Sequence, residues 1–137
     1  MSINFYCEDV KTLHLEKKKL KDWIRAAIKE EEKIPGDLSF IFCSDSYLLK
    51  INRQYLQHDY FTDIITFDYV NEKLISGDIF ISVDRVAENS QQYQVEFGHE
   101  LNRIIIHGVL HLCGYKDKLP EEKEVMTQKE DYYLFKW

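Results

Sequence analysis

The chain is poor in the residues that break or cross-link protein structure. It has only two prolines and five glycines in 137 residues, which argues against a long linker or a disordered tract. Its three cysteines, Cys7, Cys43 and Cys113, lie far apart and form no CxxC pair, so no disulfide framework is expected. No apolar run approaches the roughly 20 residues of a membrane-spanning helix, and the N-terminus does not resemble a secretory signal. These absences predict a reduced, cytoplasmic protein without a membrane partner.

The net charge of −6 argues against broad, nonspecific binding to nucleic acid. The charge is nevertheless uneven, because basic residues crowd one N-terminal segment. They are Lys11, Lys17, Lys18, Lys19, Lys21, Arg25 and Lys29. This basic segment is typical of a solvated helix face, with a local phosphate-binding patch as the alternative.

Hydrophobic periodicity predicts a mixture of strands and helices. The predicted strands are residues 2–7, 38–43, 63–70 and 78–83, and the predicted helices are residues 15–32, about 48–55, 84–93, 97–113 and 120–135. Ser44 or Asp45 could cap the second helix, and Asp84 could cap the third. This order predicts an α/β (α+β) fold, with a small mixed sheet of about four strands packed against several helices. Residues 1–137 are expected to form a single domain.

Two histidines, a glycine and an aspartate form the most informative pattern in the chain. His107 and His111 are four residues apart in an apolar run, so on a helix they would share one face. Gly114 can turn the chain without a Cβ clash, and Asp117 then offers an anionic third ligand. The pattern predicts that His107, His111 and Asp117 bind one Zn²⁺ ion, or another divalent transition metal. Two packed or surface histidines are the alternative, which the added Gly114 and Asp117 disfavour.

The same spacing matches the metzincin pattern of the metallopeptidases, with two departures. The third ligand is Asp117 where a metzincin has histidine. Gly108 also occupies the position of the glutamate that acts as general base in those enzymes, and glycine cannot take a proton. A metallopeptidase-like hydrolase is therefore the weaker hypothesis.

Other candidate ligands have no comparable neighbours. His14, His58 and His99 are expected to be surface or capping residues, and Cys113 is expected to be a small core thiol. The sequence assigns no general base. Asp78 is a candidate by residue type alone, and capping or turn hydrogen bonding is the favoured role for it.

Four segments in the same order resemble one known family. Residues 107–115, His-Gly-Val-Leu-His-Leu-Cys-Gly-Tyr, resemble the signature of the YbeY-type endoribonucleases, also called rRNA maturation factors. Residues 51–55, 62–67 and 77–82 resemble that family's Leu-Asn-x-x-Tyr, Thr-Asp-Val-Leu-Ser-Phe and Gly-Asp-Ile-x-Ile-Ser elements. Met126 and Glu130 also stand where the family usually has methionine and glutamate.

The resemblance implies a single-strand-specific, metal-dependent endoribonuclease that acts in rRNA maturation, at the 16S 3′ end, and in ribosome biogenesis. Zinc is the implied metal, and single-stranded RNA, rRNA and ribosomal components are the implied partners. The alternative is a ribosome-assembly binding protein in which the metal is structural.

This chain departs from the family pattern at two positions. Asp117 stands where the family has its third histidine ligand, and a carboxylate could weaken the Lewis acidity of the metal or shift the metal preference. Leu56 stands where the family typically has an arginine that faces the site. Arg53, one helical turn earlier, is a candidate RNA-binding residue, although a surface role is favoured for it.

Overall fold

The computed structural model describes residues 2–58 and 62–137. Within these ranges the chain forms β1 (Ile3–Cys7), α1 (Lys17–Glu30), β2 (Ile34–Cys43), α2 (Asp45–Leu56), β3 (Ile64–Asp68), β4 (Leu74–Ser82), α3 (Val83–Gln92), α4 (Phe97–Leu112) and α5 (Pro120–Phe135). The order of strands and helices is the predicted one. The predicted fold class, a small mixed sheet with several helices, is confirmed.

The four strands form one sheet in the order β1-β2-β4-β3. β2 pairs in parallel with both β1 and β4, while β3 and β4 form an antiparallel hairpin at the edge of the sheet. Parallel neighbours need a long crossover, which α1 supplies between β1 and β2. The predicted mixed sheet therefore has a parallel core and an antiparallel edge.

Helix α4 lies at the centre of the structure and is buried along most of its length. It contacts α1, α3, α5, β3 and β4, and its isoleucines Ile104, Ile105 and Ile106 are all buried. Helix α2 packs with a separate apolar cluster that includes Leu48 and Ile65. A helix so fully enclosed gives rigid support to any side chain that projects from it.

Two strands begin four residues earlier than the sequence pattern predicts. β2 starts at Ile34 and β4 at Leu74, and these two residues pair with each other. Pro35 interrupts the strand pattern because it has no backbone N–H to donate. β1 pairs with β2 only from Leu38 onward, so at Pro35 the strand β2 has one neighbour, β4, instead of two. A register shift between Pro35 and Leu38 accommodates the proline.

The helix caps agree with the sequence in one case and correct it in the other. Ser44 caps α2, because its Oγ accepts a hydrogen bond from the Tyr47 backbone N–H at 3.1 Å. Ser82, rather than the predicted Asp84, caps α3 by accepting from the Arg85 N–H at 3.2 Å. The Asp84 carboxylate instead accepts from the Asp45 backbone N–H at 2.9 Å and so connects α3 to the start of α2.

Glu31, at the end of α1, ties three parts of the structure together. Its carboxylate accepts hydrogen bonds from the hydroxyls of Tyr115 and Tyr133 and pairs with Lys129 at 3.2 Å. Burial would raise the pKa of Glu31, but these hydrogen bonds and the Lys129 charge together lower it. The segment after α4, which contains Tyr115, is thereby fixed against α1 and α5.

The basic segment lies mostly on the solvent side of α1. The ion pairs of Lys19 with Glu16, at 3.9 Å, and of Arg25 with Asp22, at 3.7 Å, are long and local. Lys19 Nζ also lies 4.1 Å from the centroid of the Trp137 ring. This exposure is what a solvated helix face requires, and the phosphate-binding role stays a prediction.

Among the helices of residues 2–58 and 62–137, none combines the length and the apolarity that crossing a bilayer requires.

Candidate metal centre

The two signature histidines project from the buried helix α4, one turn apart. The ring centroids of His107 and His111 are 4.5 Å apart, and the ring planes are almost perpendicular at 88°. Their side chains are 16% and 24% exposed, so both reach the surface from a helix that is buried along most of its length. Their four-residue spacing places them on one helix face, as predicted.

The chain turns after α4 and brings the aspartate back to the histidines. Gly114 has a φ of +110°, a conformation that side chains with a Cβ rarely adopt, and it ends the helical segment as predicted. Asp117 Oδ2 then lies 3.2 Å from His107 Nε2 and 3.4 Å from His111 Nε2. The structure therefore brings together the three residues that the sequence nominated as ligands.

The separations among these atoms fit a metal ion. Zinc ligands at about 2.05 Å in a tetrahedron would be about 3.3 Å from one another, close to the two observed distances. One ligand atom from each of His107, His111 and Asp117 lies within 4.8 Å of the others. It is the one such group among the residues that the structure describes. If these three residues held a zinc ion, its fourth position would be open to solvent or substrate, as in catalytic zinc sites.

The second nitrogen of each ring is held by another part of the chain. His111 Nδ1 lies 2.9 Å from the backbone carbonyl of Tyr115, which can only accept, so Nδ1 carries the proton. His107 Nδ1 lies 2.6 Å from Glu130 Oε2 and donates to that carboxylate. Both contacts favour the tautomer with its proton on Nδ1, which makes Nε2, the nitrogen that faces Asp117, the one available to a metal.

Glu130 connects the site to a further cation. Its other oxygen, Oε1, accepts from Arg103 Nη1 at 2.8 Å, and Arg103 Nη2 binds Asp131 at 2.6 Å. Burial alone would lower the pKa of His107, but the Glu130 hydrogen bond and the charges of Glu130, Asp117 and Asp63 raise it. The carboxylate therefore orients the ring and makes His107 more basic.

A family model described as endoribonuclease YbeY matches residues 5–137. The match includes the candidate metal-ligand group, which is His107, His111 and Asp117, and the sheet that supports it. The chain belongs to the YbeY endoribonuclease family.

Several YbeY proteins are similar to this chain over most of its length. One from Parabacteroides distasonis, named endoribonuclease YbeY, is 50% identical over 134 residues, which is 98% of this chain and 94% of that protein. One of the same name from Flavobacterium johnsoniae is 54% identical over 110 residues, or 80% and 79% of the two chains. The solution structure of TM1509 from Thermotoga maritima has a TM-score of 0.68 at 26% identity and covers 97% of this chain and 87% of that one.

Glu130→Gln is expected to weaken metal binding between tenfold and a hundredfold, because an amide is a weaker acceptor for the His107 N–H. The dissociation constant should be measured by competition with a chromogenic chelator. Asp131→Asn is the matched control, since Asp131 binds Arg103 but does not contact His107. Equal metal affinity in Glu130→Gln and in the wild-type protein would contradict the orienting role of Glu130.

Arg103 was not predicted from the sequence, and Glu130 was indicated only by the resemblance to the YbeY family. Arg103 lies one turn before His107 on α4, so the same helical spacing that pairs the histidines could have indicated it. Nothing local to the sequence indicates that α5 places Glu130 against this face. That contact depends on the packing of two helices.

The remaining candidates lie apart from the metal-ligand group. His14, His58 and His99 have exposed side chains, as expected. Cys113 packs against the core, and burial raises the pKa of its thiol to about 12, so it behaves as the predicted core residue.

Two candidates for RNA contact and catalysis lie on other elements. Arg53 has an exposed position on α2, and its RNA-binding role stays a prediction. Asp78 lies within β4, opposite Phe67 of β3, and not at the start of the strand as predicted. The earlier start of β4 at Leu74 accounts for this difference.

Proposed function

We propose that this protein is a metal-dependent endoribonuclease that cleaves single-stranded RNA during maturation of the 16S rRNA 3′ end. The observation that carries the proposal is the convergence of His107, His111 and Asp117 at a partly exposed point, in a chain that belongs to the YbeY family. The resemblance of the signature segments supports the rRNA substrate. Ribosomal components are the proposed partners, and the cytoplasm is the proposed location.

His107, His111 and Asp117 are the proposed ligands of one Zn²⁺ ion, or of another divalent transition metal. A bound metal would supply Lewis acidity toward water and toward the scissile phosphate. Glu130 and the Tyr115 carbonyl hold the two histidine rings in the required tautomer. The Arg53 guanidinium is proposed to contact RNA phosphates.

The structure gives a physical reason to set aside the metallopeptidase hypothesis. Gly108 is buried where α4 meets the sheet, and a Cβ there would lie 3.0 Å from Ile64 Cδ1 and 3.1 Å from Ile79 Cγ2. The peptidase glutamate would have to occupy this packed interface instead of facing water at the metal. The position is therefore used for packing in this chain.

Asp117→His is expected to retain or strengthen metal binding and to retain cleavage of single-stranded RNA, because imidazole is also a good zinc ligand. Asp117→Ala should lose both properties. Metal content should be measured by elemental analysis, and cleavage with a labelled oligoribonucleotide, offered single-stranded and as a duplex.

Glu121→Ala is the control for loss of a nearby carboxylate, because Glu121 is exposed on the first turn of α5. Full metal content in Asp117→Ala would overturn the assignment of the third ligand. If fully metal-loaded wild-type protein cut no single-stranded RNA, the proposed activity would be wrong.

A further inference from the structure

A cavity of about 480 Å³ adjoins the metal centre, on the side of His107 that faces the start of α4. Residues from α3, α4, α5 and the segment before β3 form its walls, and His107 belongs to both the cavity and the ligand group. Its volume is within the range of small-molecule sites. A substrate group next to the reacting phosphate could therefore enter it.

Glu100 is the unusual residue of this cavity. Its side chain is only 6% exposed, yet its carboxyl makes no hydrogen bond or ion pair with any residue in 2–58 or 62–137. Glu100 lies on the same side of α4 as His107, two turns earlier, and is one of the residues that line the cavity. Buried polar groups in folded proteins almost always have a hydrogen-bond partner. Among the described residues no fully enclosed side-chain nitrogen or oxygen lacks one, so the Glu100 carboxyl opens onto the cavity, where water or a bound group can be its partner.

The charged residues that line the cavity determine whether a phosphate or a neutral base would bind there. Asp63, Glu100, Glu130 and Asp131 line it, and the one arginine of the lining, Arg103, is already bound by Glu130 and Asp131. An RNA phosphate would be repelled by this set of carboxylates. A neutral nucleobase that donates N–H groups would be attracted.

An aromatic face is also available for such a base. Tyr93 lines the cavity near the end of α3, and its side chain is 62% exposed. Proteins that recognise single-stranded RNA commonly stack an unpaired base on an aromatic ring and bond its Watson–Crick edge to polar side chains. Tyr93 and Glu100 supply one group of each kind.

We propose that this cavity is a base-recognition subsite for a guanine next to the scissile phosphate, with Glu100 accepting hydrogen bonds from guanine N1–H and N2–H. The inference rests on the proposed ribonuclease function and adds a sequence preference to it. Burial and the charges of Asp63 and Glu130 raise the pKa of Glu100, and two donors from a bound base would favour its ionised form again. An ionised carboxylate offers only acceptors, and guanine is the one RNA base that presents two adjacent donors on its Watson–Crick edge. Adenine, cytosine and uracil each place an acceptor beside their donor, which an ionised carboxylate would repel.

The test compares oligouridines that contain one guanosine, one inosine or no purine at the cleaved position. Wild-type protein is expected to cut the guanosine substrate with a kcat/KM about tenfold above that of the uridine substrate. Inosine, which lacks the N2 amino group, should give an intermediate value. In Glu100→Gln the ratio of guanosine to uridine should fall to about one, while the exposed control Glu96→Gln keeps the wild-type ratio.

Equilibrium binding of guanosine and uridine monophosphates to the metal-loaded protein separates this inference from the proposed function. Tighter guanosine monophosphate binding that is lost in Glu100→Gln would support the subsite even if no RNA were cut. Cleavage of RNA with equal rates at guanosine and uridine, and equal binding of the two nucleotides, would overturn the subsite and leave the ribonuclease function standing. A tenfold preference that persists in Glu100→Gln would overturn the role of Glu100.

Discussion

His111→Ala is expected to remove the bound metal and to lower RNA cleavage by about a thousandfold, while the protein stays folded. The loss follows because a metal in such a site contributes several kcal/mol to the stabilisation of the transition state. The fold should survive because the His111 side chain is partly exposed, at 24%, and the core of α4 consists of other residues. Metal content, thermal unfolding and cleavage of single-stranded RNA should be measured on the same preparation.

The matched control is His14→Ala, which removes an exposed histidine that lies outside the ligand group. This variant should keep wild-type metal content and activity. Collapse of the fold in His111→Ala would indicate a structural ion and would favour the ribosome-assembly hypothesis over catalysis. Equal RNA cleavage by His111→Ala and the wild-type protein would show that the activity belongs to other residues or to a contaminant.

The grouping of His107, His111 and Asp117 could be predicted from sequence because its geometry is local. Two histidines one helical turn apart, a glycine with positive φ and an aspartate three residues later are all determined within one short segment. Helix spacing and the conformational freedom of Gly114 are enough to bring these side chains together. The structure adds only the distances.

The surroundings of the site could not be predicted in the same way. Glu130 reaches His107 across 23 residues of sequence, and Tyr115 is positioned through Glu31, 84 residues away. Such contacts depend on how α1, α4 and α5 pack, which periodicity does not encode. The lack of a partner for Glu100 within residues 2–58 and 62–137 is equally a property of the packed molecule, because on sequence alone Glu100 resembles any charged residue near the start of a helix.

The strand boundaries show the same dependence on neighbours. Pro35 disfavours a strand by every local rule, yet β2 continues through it. The position of β1 explains why the missing N–H of Pro35 costs no hydrogen bond between strands, because β1 pairs with β2 only from Leu38 onward. The fold class was predictable from the order of elements, while the starts of β2 and β4 required knowledge of the pairing.

Gly108→Glu, which would restore the metallopeptidase glutamate, is expected to destabilise the protein strongly instead of creating a peptidase. A Cβ at this position would already lie within 3.3 Å of three carbon atoms of Ile64 and Ile79, so the longer side chain has no space beneath α4. Its carboxylate would also be buried without a partner against an apolar sheet. The free energy of unfolding should fall by more than about 4 kcal/mol, which for a chain of this size lowers Tm by more than about 10 °C.

Gly108→Ala separates the steric cost from the cost of the charge. The added methyl group should lower the free energy of unfolding by about 1 kcal/mol. Overpacking lowers it by about 2 kcal/mol, and the better helix propensity of alanine raises it by about 1 kcal/mol. Urea unfolding of both variants, followed by circular dichroism, would measure the two effects. A Gly108→Glu protein as stable as the wild type would mean that residue 108 faces solvent. A glutamate could then act at the metal, and the metallopeptidase hypothesis would regain its missing base.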